Sequence, residues 1–209
     1  MQGSKLFQKI TRGLFLFLLI PFSPSFSETL TPAQSLQSLL SNLQSLHAHF
    51  HEESDGRTAD GEVWIQKPGE FFWKTLSPTQ ETFLSDGISL YHYDPDLLQA
   101  TETPLSSALE QTPLLLLSGK ITDISQSYTV ESVGDGAFRL TPIQSDASSG
   151  ELIQSMELRF QSEKISSFSL KSQLGQKTAV TFSKVEWNPS IDPSTFRFVL
   201  PAGADLFEQ

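Results

Sequence analysis

Apolar positions along the chain repeat first at a spacing of three and four, then at two. Leu36, Leu39, Leu40, Leu43 and Leu46 follow the helical period. Thr31 and Pro32 ahead of them supply a capping hydroxyl and a proline suited to a first turn. The other face is Gln, Ser and Asn, so the spacing predicts an amphipathic helix. Its leucine stripe is either ordinary core packing or the underside of a lid over a cavity. From Leu46 the period becomes two, with Ala48 and Phe50 on one face and His47, His49 and His51 on the other. Glu52 to Asp60 is polar with a glycine and reads as a loop or hairpin end.

Gly61 to Thr101 is rich in Val, Ile, Phe, Trp and Tyr. It is cut by turn signals at Lys67-Pro68-Gly69, Ser77-Pro78 and Ser85-Asp86-Gly87. This predicts a meander of about four antiparallel strands. Two short helical stretches follow: Pro104 to Glu110, and a second opened by Thr112-Pro113 that carries Leu114, Leu115, Leu116 and Leu117. Consecutive leucines on so short a helix cannot all face one groove, so one side must cover something apolar or stay exposed.

Beyond Gly119 the strand pattern resumes: Tyr128 to Val133, Ala137 to Pro142, Leu152 to Phe160, Ile165 to Leu174, Thr178 to Trp187 and Phe196 to Leu200, with Pro201 to Phe207 as a tail. Ser145 to Gly150 reads as a loop. The expected fold is therefore mainly β, about ten or eleven antiparallel strands curved around short helices in a single domain.

The first 27 residues stand apart. Lys5, Lys9 and Arg12 precede the apolar run Leu14 to Ile20, then come Pro21, Pro24 and the small residues around Ser27. This is the pattern of a cleaved secretory signal, with Glu28 the first mature residue. Its removal deletes three basic and no acidic residues, taking the formal charge from −10 to −13. Such a balance argues against nucleic acid and against docking on anionic lipid. The chain has no cysteine, which excludes a lipid anchor of the kind attached to a cysteine at the cleavage site.

The chemistry of catalysis is missing. There is no nucleophile elbow, phosphate loop or zinc-protease helix. Asp94-Pro95-Asp96 places two carboxylates in a turn, where solvated acids are the ordinary outcome. His92 alternates with Tyr91 and Tyr93 and so lies on the opposite strand face. The histidines at 47, 49 and 51 have a spacing compatible with metal, but no cysteine or placed carboxylate completes a set, and a solvated strand face is expected instead.

The runs V-W-I-Q-K-P-G-E-F-F-W-K from Val63, S-D-G-x-x-L-Y-H-Y-D-P-D-L-L-Q from Ser85 and T-P-L-L-L-L-S-G from Thr112 occur in this order. L-H-A-H-F precedes them and F-x-F-x-x-P-x-G-A-D closes the chain. Together they resemble the periplasmic outer-membrane lipoprotein carriers, the LolA family, over nearly the whole mature chain.

The resemblance implies an incomplete antiparallel β-barrel closed by a lid of short α-helices, without cofactor or enzymatic activity. It implies a monomer that takes acylated lipoproteins from an inner-membrane ABC transporter, crosses the periplasm and passes them to an outer-membrane receptor. Leu36, Leu39, Leu43 and Leu114 to Leu117 become expected lid undersides. Phe71, Trp73, Tyr91 and Tyr93 become expected cavity lining. Lys67 stands where many family members carry an arginine that bonds lid backbone. Lysine lacks the planar fork, so a more loosely latched lid is expected. The alternative is a half-barrel domain that senses lipid or lipoprotein.

Overall fold

Helix α1 (Pro32–Ser41) starts on a reciprocal cap. The Thr31 hydroxyl accepts from the Gln34 amide at 3.2 Å, and the Gln34 side chain accepts from the Thr31 amide at 2.8 Å. The computed structural model describes residues 30–108, 113–143 and 153–209. The expected leader, the 145–150 loop, and the boundary residues Glu110, Thr112 and Leu152 lie outside them.

The helix is shorter than its leucine stripe. The Asn188 side chain intervenes: its Nδ2 donates to Asn42 O at 3.0 Å, and its Oδ1 accepts from the Gln44 and Ser45 backbone amides at 2.8 and 3.2 Å. These long-range bonds take up backbone groups that a longer helix would have used. Leu43 therefore sits in the connection and Leu46 on the first strand, although both are fully buried.

The strands are β1 (Ser45–Ser54), β2 (Arg57–Gln66), β3 (Glu70–Ser77), β4 (Glu81–Asp86), β5 (Ser89–Asp94) and β6 (Gln99–Pro104), followed by helices α2 (Leu105–Ala108), α3 (Pro113–Leu117) and α4 (Ile124–Ser127). Then come β7 (Tyr128–Gly134), β8 (Ala137–Pro142), β9 (Ile153–Gln161), β10 (Lys164–Ser172), β11 (Lys177–Trp187) and β12 (Asp205–Glu208). They form one twelve-stranded sheet in the order β12-β6-β5-β4-β3-β2-β1-β11-β10-β9-β8-β7. Every pairing is antiparallel except β12 on β6. The two end strands do not meet, so the barrel is incomplete.

Of the two readings of Glu52 to Asp60, loop or hairpin end, the structure shows the hairpin end, because Asp55 and Gly56 alone make the turn, with φ of 48° and 79°. That is a two-residue hairpin whose backbone twist suits the strands it joins, so pairing runs from Ser45↔Gln66 to Ser54↔Arg57. The predicted last strand, Phe196 to Leu200, is not one. Asp192 caps a 3-10 turn at Pro193–Phe196 by accepting from the Ser194 amide at 2.9 Å, which holds its carboxyl below the usual range. The strand comes later, in the supposed tail, with Asp205 opposite Gln99 and Phe207 opposite Thr101.

Residues directly opposite on paired strands share a face. Trp187, Leu46, Ile65, Phe71, Ser85 and Leu90 form one such row, and Ala48, Val63, Trp73, Phe83 and His92 the next on the same face. These rows meet the lid leucines in a single apolar cluster, which makes them the concave side. The row Glu186, His47, Trp64, Phe72, Leu84 and Tyr91 lies on the other, convex side.

Candidate functional site: concave face and helical lid

The lid and the sheet are buried against each other. Leu36, Leu40, Leu43 and Leu114 to Leu117 join Phe71, Trp73, Phe50, Phe168 and Phe182 in one cluster, and Leu39 packs half-buried at its edge. All four leucines of α3 are buried, although a single groove cannot accept them all. Each fully covered Leu or Phe contributes about 1.5–3 kcal/mol relative to exposure, so lid closure is an apolar event.

The floor is aromatic. The Phe50 ring stacks on Trp73 with centroids 3.7 Å apart, Trp73 meets Phe168 at 6.4 Å, and Phe168 meets Phe182 at 5.8 Å. Phe71, 1% exposed, lies beside them. Pattern alone could not select Phe50, Phe168 and Phe182, because each alternates with polar neighbours as any half-buried strand does.

The Lys67-Pro68-Gly69 turn joins both lid elements to the sheet. The Lys67 ammonium donates to Leu40 O, in the last turn of α1, at 2.5 Å. A cation there also faces the negative end of the helix dipole. The Lys67 amide donates to Gln44 O at 2.9 Å, and the Gly69 amide to Ser118 O, just past α3, at 2.8 Å. The stem of Lys67 runs beside Gly119, where a Cβ would come within 2.8 Å of it. Burial holds the Lys67 amine below its ordinary value. Beneath the turn, the buried Ser85 hydroxyl donates to Gly69 O at 2.9 Å. Helix α2 is tied in as well, its Leu105 amide bonding Ile88 O at 2.8 Å.

Tyr91 and Tyr93 are not part of this face. They sit opposite Leu84 and Thr82 on the convex side, where Tyr91 stacks on Phe198 at 4.5 Å and its hydroxyl donates to Glu102 at 3.1 Å. The C-terminal segment packs there, with Phe196 buried beneath it. Strand alternation correctly separated His92 from the tyrosines, but periodicity cannot say which set faces inward. Phe83 and His92 take the inward places.

The histidine strand face is convex, and two of its rings lie beside carboxylates. His47 stacks on Trp64 at 4.8 Å and lies 3.3 Å from Glu62, and His51 lies 2.8 Å from Asp60. Among the described residues no group of His, Cys, Asp and Glu is placed to hold a metal. Asp94 serves its turn by accepting from the Asp96 and Leu97 amides at 2.9 and 3.1 Å. Also among the described residues, no helix is long and apolar enough to cross a membrane.

One carboxylate on the concave face is held at a cost. Burial, and then the nearby Glu81, keep the Glu52 carboxyl above its ordinary 4.5. The folded protein therefore binds this proton more tightly than the unfolded chain. The stabilising contribution is complete below the ordinary value and is lost as pH rises through the raised one. Glu52→Gln is expected to raise the thermal midpoint at neutral pH and leave it unchanged in acid below pH 4.5. Calorimetry at the two pH values checks this, and an equal shift at both would dismiss it.

The sequence profile described as "Outer membrane lipoprotein carrier protein LolA" matches residues 41–199. The chain belongs to the LolA family. A LolA relative from Chromohalobacter salexigens, named outer-membrane lipoprotein carrier protein, is 37% identical over 186 residues, covering 85% of this chain and 87% of the relative. One of the same name from Hahella chejuensis is 34% identical, covering 84% and 87%. A solved structure of an uncharacterized conserved protein from Thermus thermophilus aligns with a TM-score of 0.52 at 13% identity, covering 84% of this chain and all of that one. It shares the fold.

Proposed function

We propose that this protein is a periplasmic carrier that shields the acyl chains of lipoproteins. It receives them from an inner-membrane ABC transporter and delivers them to an outer-membrane receptor. In this reading the leader is removed near Ser27 and the mature chain works as a monomer, without cofactor or catalysis. The observation that carries it is the single apolar cluster shared by lid leucines and sheet aromatics, tied together at one turn. Acyl chains entering between lid and floor replace leucine contacts with contacts of the same kind.

The energetics support a carrier over a tight pocket. Each methylene withdrawn from a membrane into water costs about 0.8 kcal/mol, so cargo leaves only if an apolar surface replaces the bilayer. Release requires that the replacement not be much better than the membrane. A lid that refills the cavity with its own leucines lowers the cost of letting go.

The test is release of lipoproteins from spheroplasts by added mature protein. The wild type is expected to bring acylated outer-membrane lipoproteins into the supernatant, and Phe71→Glu to abolish this. Leu39→Glu, at the half-buried edge of the lid, serves as a milder variant, and a thermal melt of both excludes simple unfolding. If no lipoprotein is released while fatty acid or phospholipid copurifies, the sensing half-barrel replaces the carrier.

A further inference from the structure

The lid does not cover the concave face evenly. On β1 to β3, Leu46, Ile65 and Phe71 are at most 1% exposed and Trp73 only 6%. On β4 and β5, Phe83 and Leu90 pack against the same cluster yet remain half-buried. Trp73 sits opposite Phe83, so apolar surface runs without a break from the buried floor to solvent along this flank.

Where that surface emerges it meets a polar boundary. The His92 ring lies flat on Phe83, with centroids 4.2 Å apart and planes 4° from parallel. Its Nε2 is 2.6 Å from a Glu81 carboxylate oxygen, with the two side chains 38% and 42% exposed. Thr101 stands opposite His92 and Thr103 opposite Leu90, both half-buried. One ring face thus continues the apolar floor, while the ring edge, the carboxylate and the hydroxyls offer hydrogen bonds.

We propose that this β4–β6 flank is the threshold of the chamber, where the junction between a cargo's acyl chains and its polypeptide rests on Phe83 and His92. The proposal deepens the carrier reading and rests on it. Such a junction carries ester and amide carbonyls and amide N–H groups, which cannot be buried with the acyl chains unless they are paired. Phe83 takes the first methylenes, and His92, Glu81 and the threonine hydroxyls take the polar atoms. A simple fatty acid needs only the apolar path. The flank therefore distinguishes an acylated polypeptide from its free acyl chain.

A photo-crosslinking benzophenone residue replaces His92 in one variant and Leu116, a buried lid position, in another. Each is loaded with an acylated lipoprotein and irradiated, and adducts are mapped by mass spectrometry. The expected result is attachment to the first residues of the polypeptide or its glyceryl end from position 92, and to acyl chain from position 116. Acyl adducts at 116 with none at 92 would overturn the threshold while leaving the carrier intact. If neither variant nor the wild type takes up lipoprotein, the carrier fails and the threshold with it. Independently, His92→Leu is expected to weaken lipoprotein retention about tenfold more than it weakens binding of a fluorescent fatty acid. Equal losses would count against the assignment.

Discussion

Gly61→Ala is expected to cost about 3 kcal/mol or more, at the upper end of what overpacking does. A Cβ at this position would lie 2.2 Å from Lys74 O on the neighbouring strand and 2.4 Å from Cζ of Phe50. The carbonyl belongs to a paired strand and cannot swing away. The ring is held too, because Phe50 stacks on Trp73, which leans on Phe168. The irregular pairing between Asp60 and Gly61 marks the place where β2 bends to let the ring cross it. Moving either neighbour disturbs the aromatic floor under the lid, so the thermal midpoint should fall by roughly 6–12 °C for a domain of this size. Gly175→Ala is the comparison: its Cβ meets nothing within 4 Å. It pays only for a left-handed φ of 87°, about 1–2 kcal/mol. Urea titrations of the two variants decide the matter, and equal midpoints would remove the steric explanation.

Much of this architecture was legible because it rests on local rules. The Thr31-Pro32 start, the β8 span Ala137 to Pro142 and the turn at Lys67-Pro68-Gly69 follow from capping hydroxyls, alternation and turn residues. What escaped depends on distant partners. Asn188 ends α1 from 146 positions away, and no feature of the leucine stripe announces it. At Glu52 to Asp60 the hairpin end was among the two readings, but the two-residue turn at Asp55-Gly56 was not singled out from the polar residues around it. Strand β12 escaped because its side chains are all exposed. It is held by backbone pairing to β6, which leaves no burial pattern to read. The inward placement of Phe83 and His92 belongs to the same class, since alternation fixes relative faces and only the register of the whole sheet fixes which face is concave.

Lys67→Ala is expected to raise hydrogen exchange of the α1 and α3 amides about tenfold and to lower the global thermal midpoint by roughly 3–6 °C. The Lys67 side chain lies between the two lid elements: its stem passes Gly119 beyond α3, and its charge ends on Leu40 O in α1. A hydrogen bond to a charged group is worth about 1.5–3 kcal/mol net, and the burial that lowers this amine's pKa subtracts from it. The low end of that range corresponds to about a tenfold change. Leu40 O is not abandoned in the variant, because the Leu43 amide also reaches it at 3.1 Å. The Lys67 bond is missing from the opened lid and from the unfolded chain alike, so its loss lowers the cost of both by the same amount. Lys67→Arg separates charge from geometry: a planar fork on a weakly hydrated cation can bond several carbonyls at once, so exchange should fall below that of the wild type. If Arg and Ala both leave exchange in α1 and α3 unchanged, Lys67 is packing and the latch lies elsewhere. If Arg slows exchange and also slows lipoprotein hand-over, the lysine sets the lid at a strength that cargo can displace.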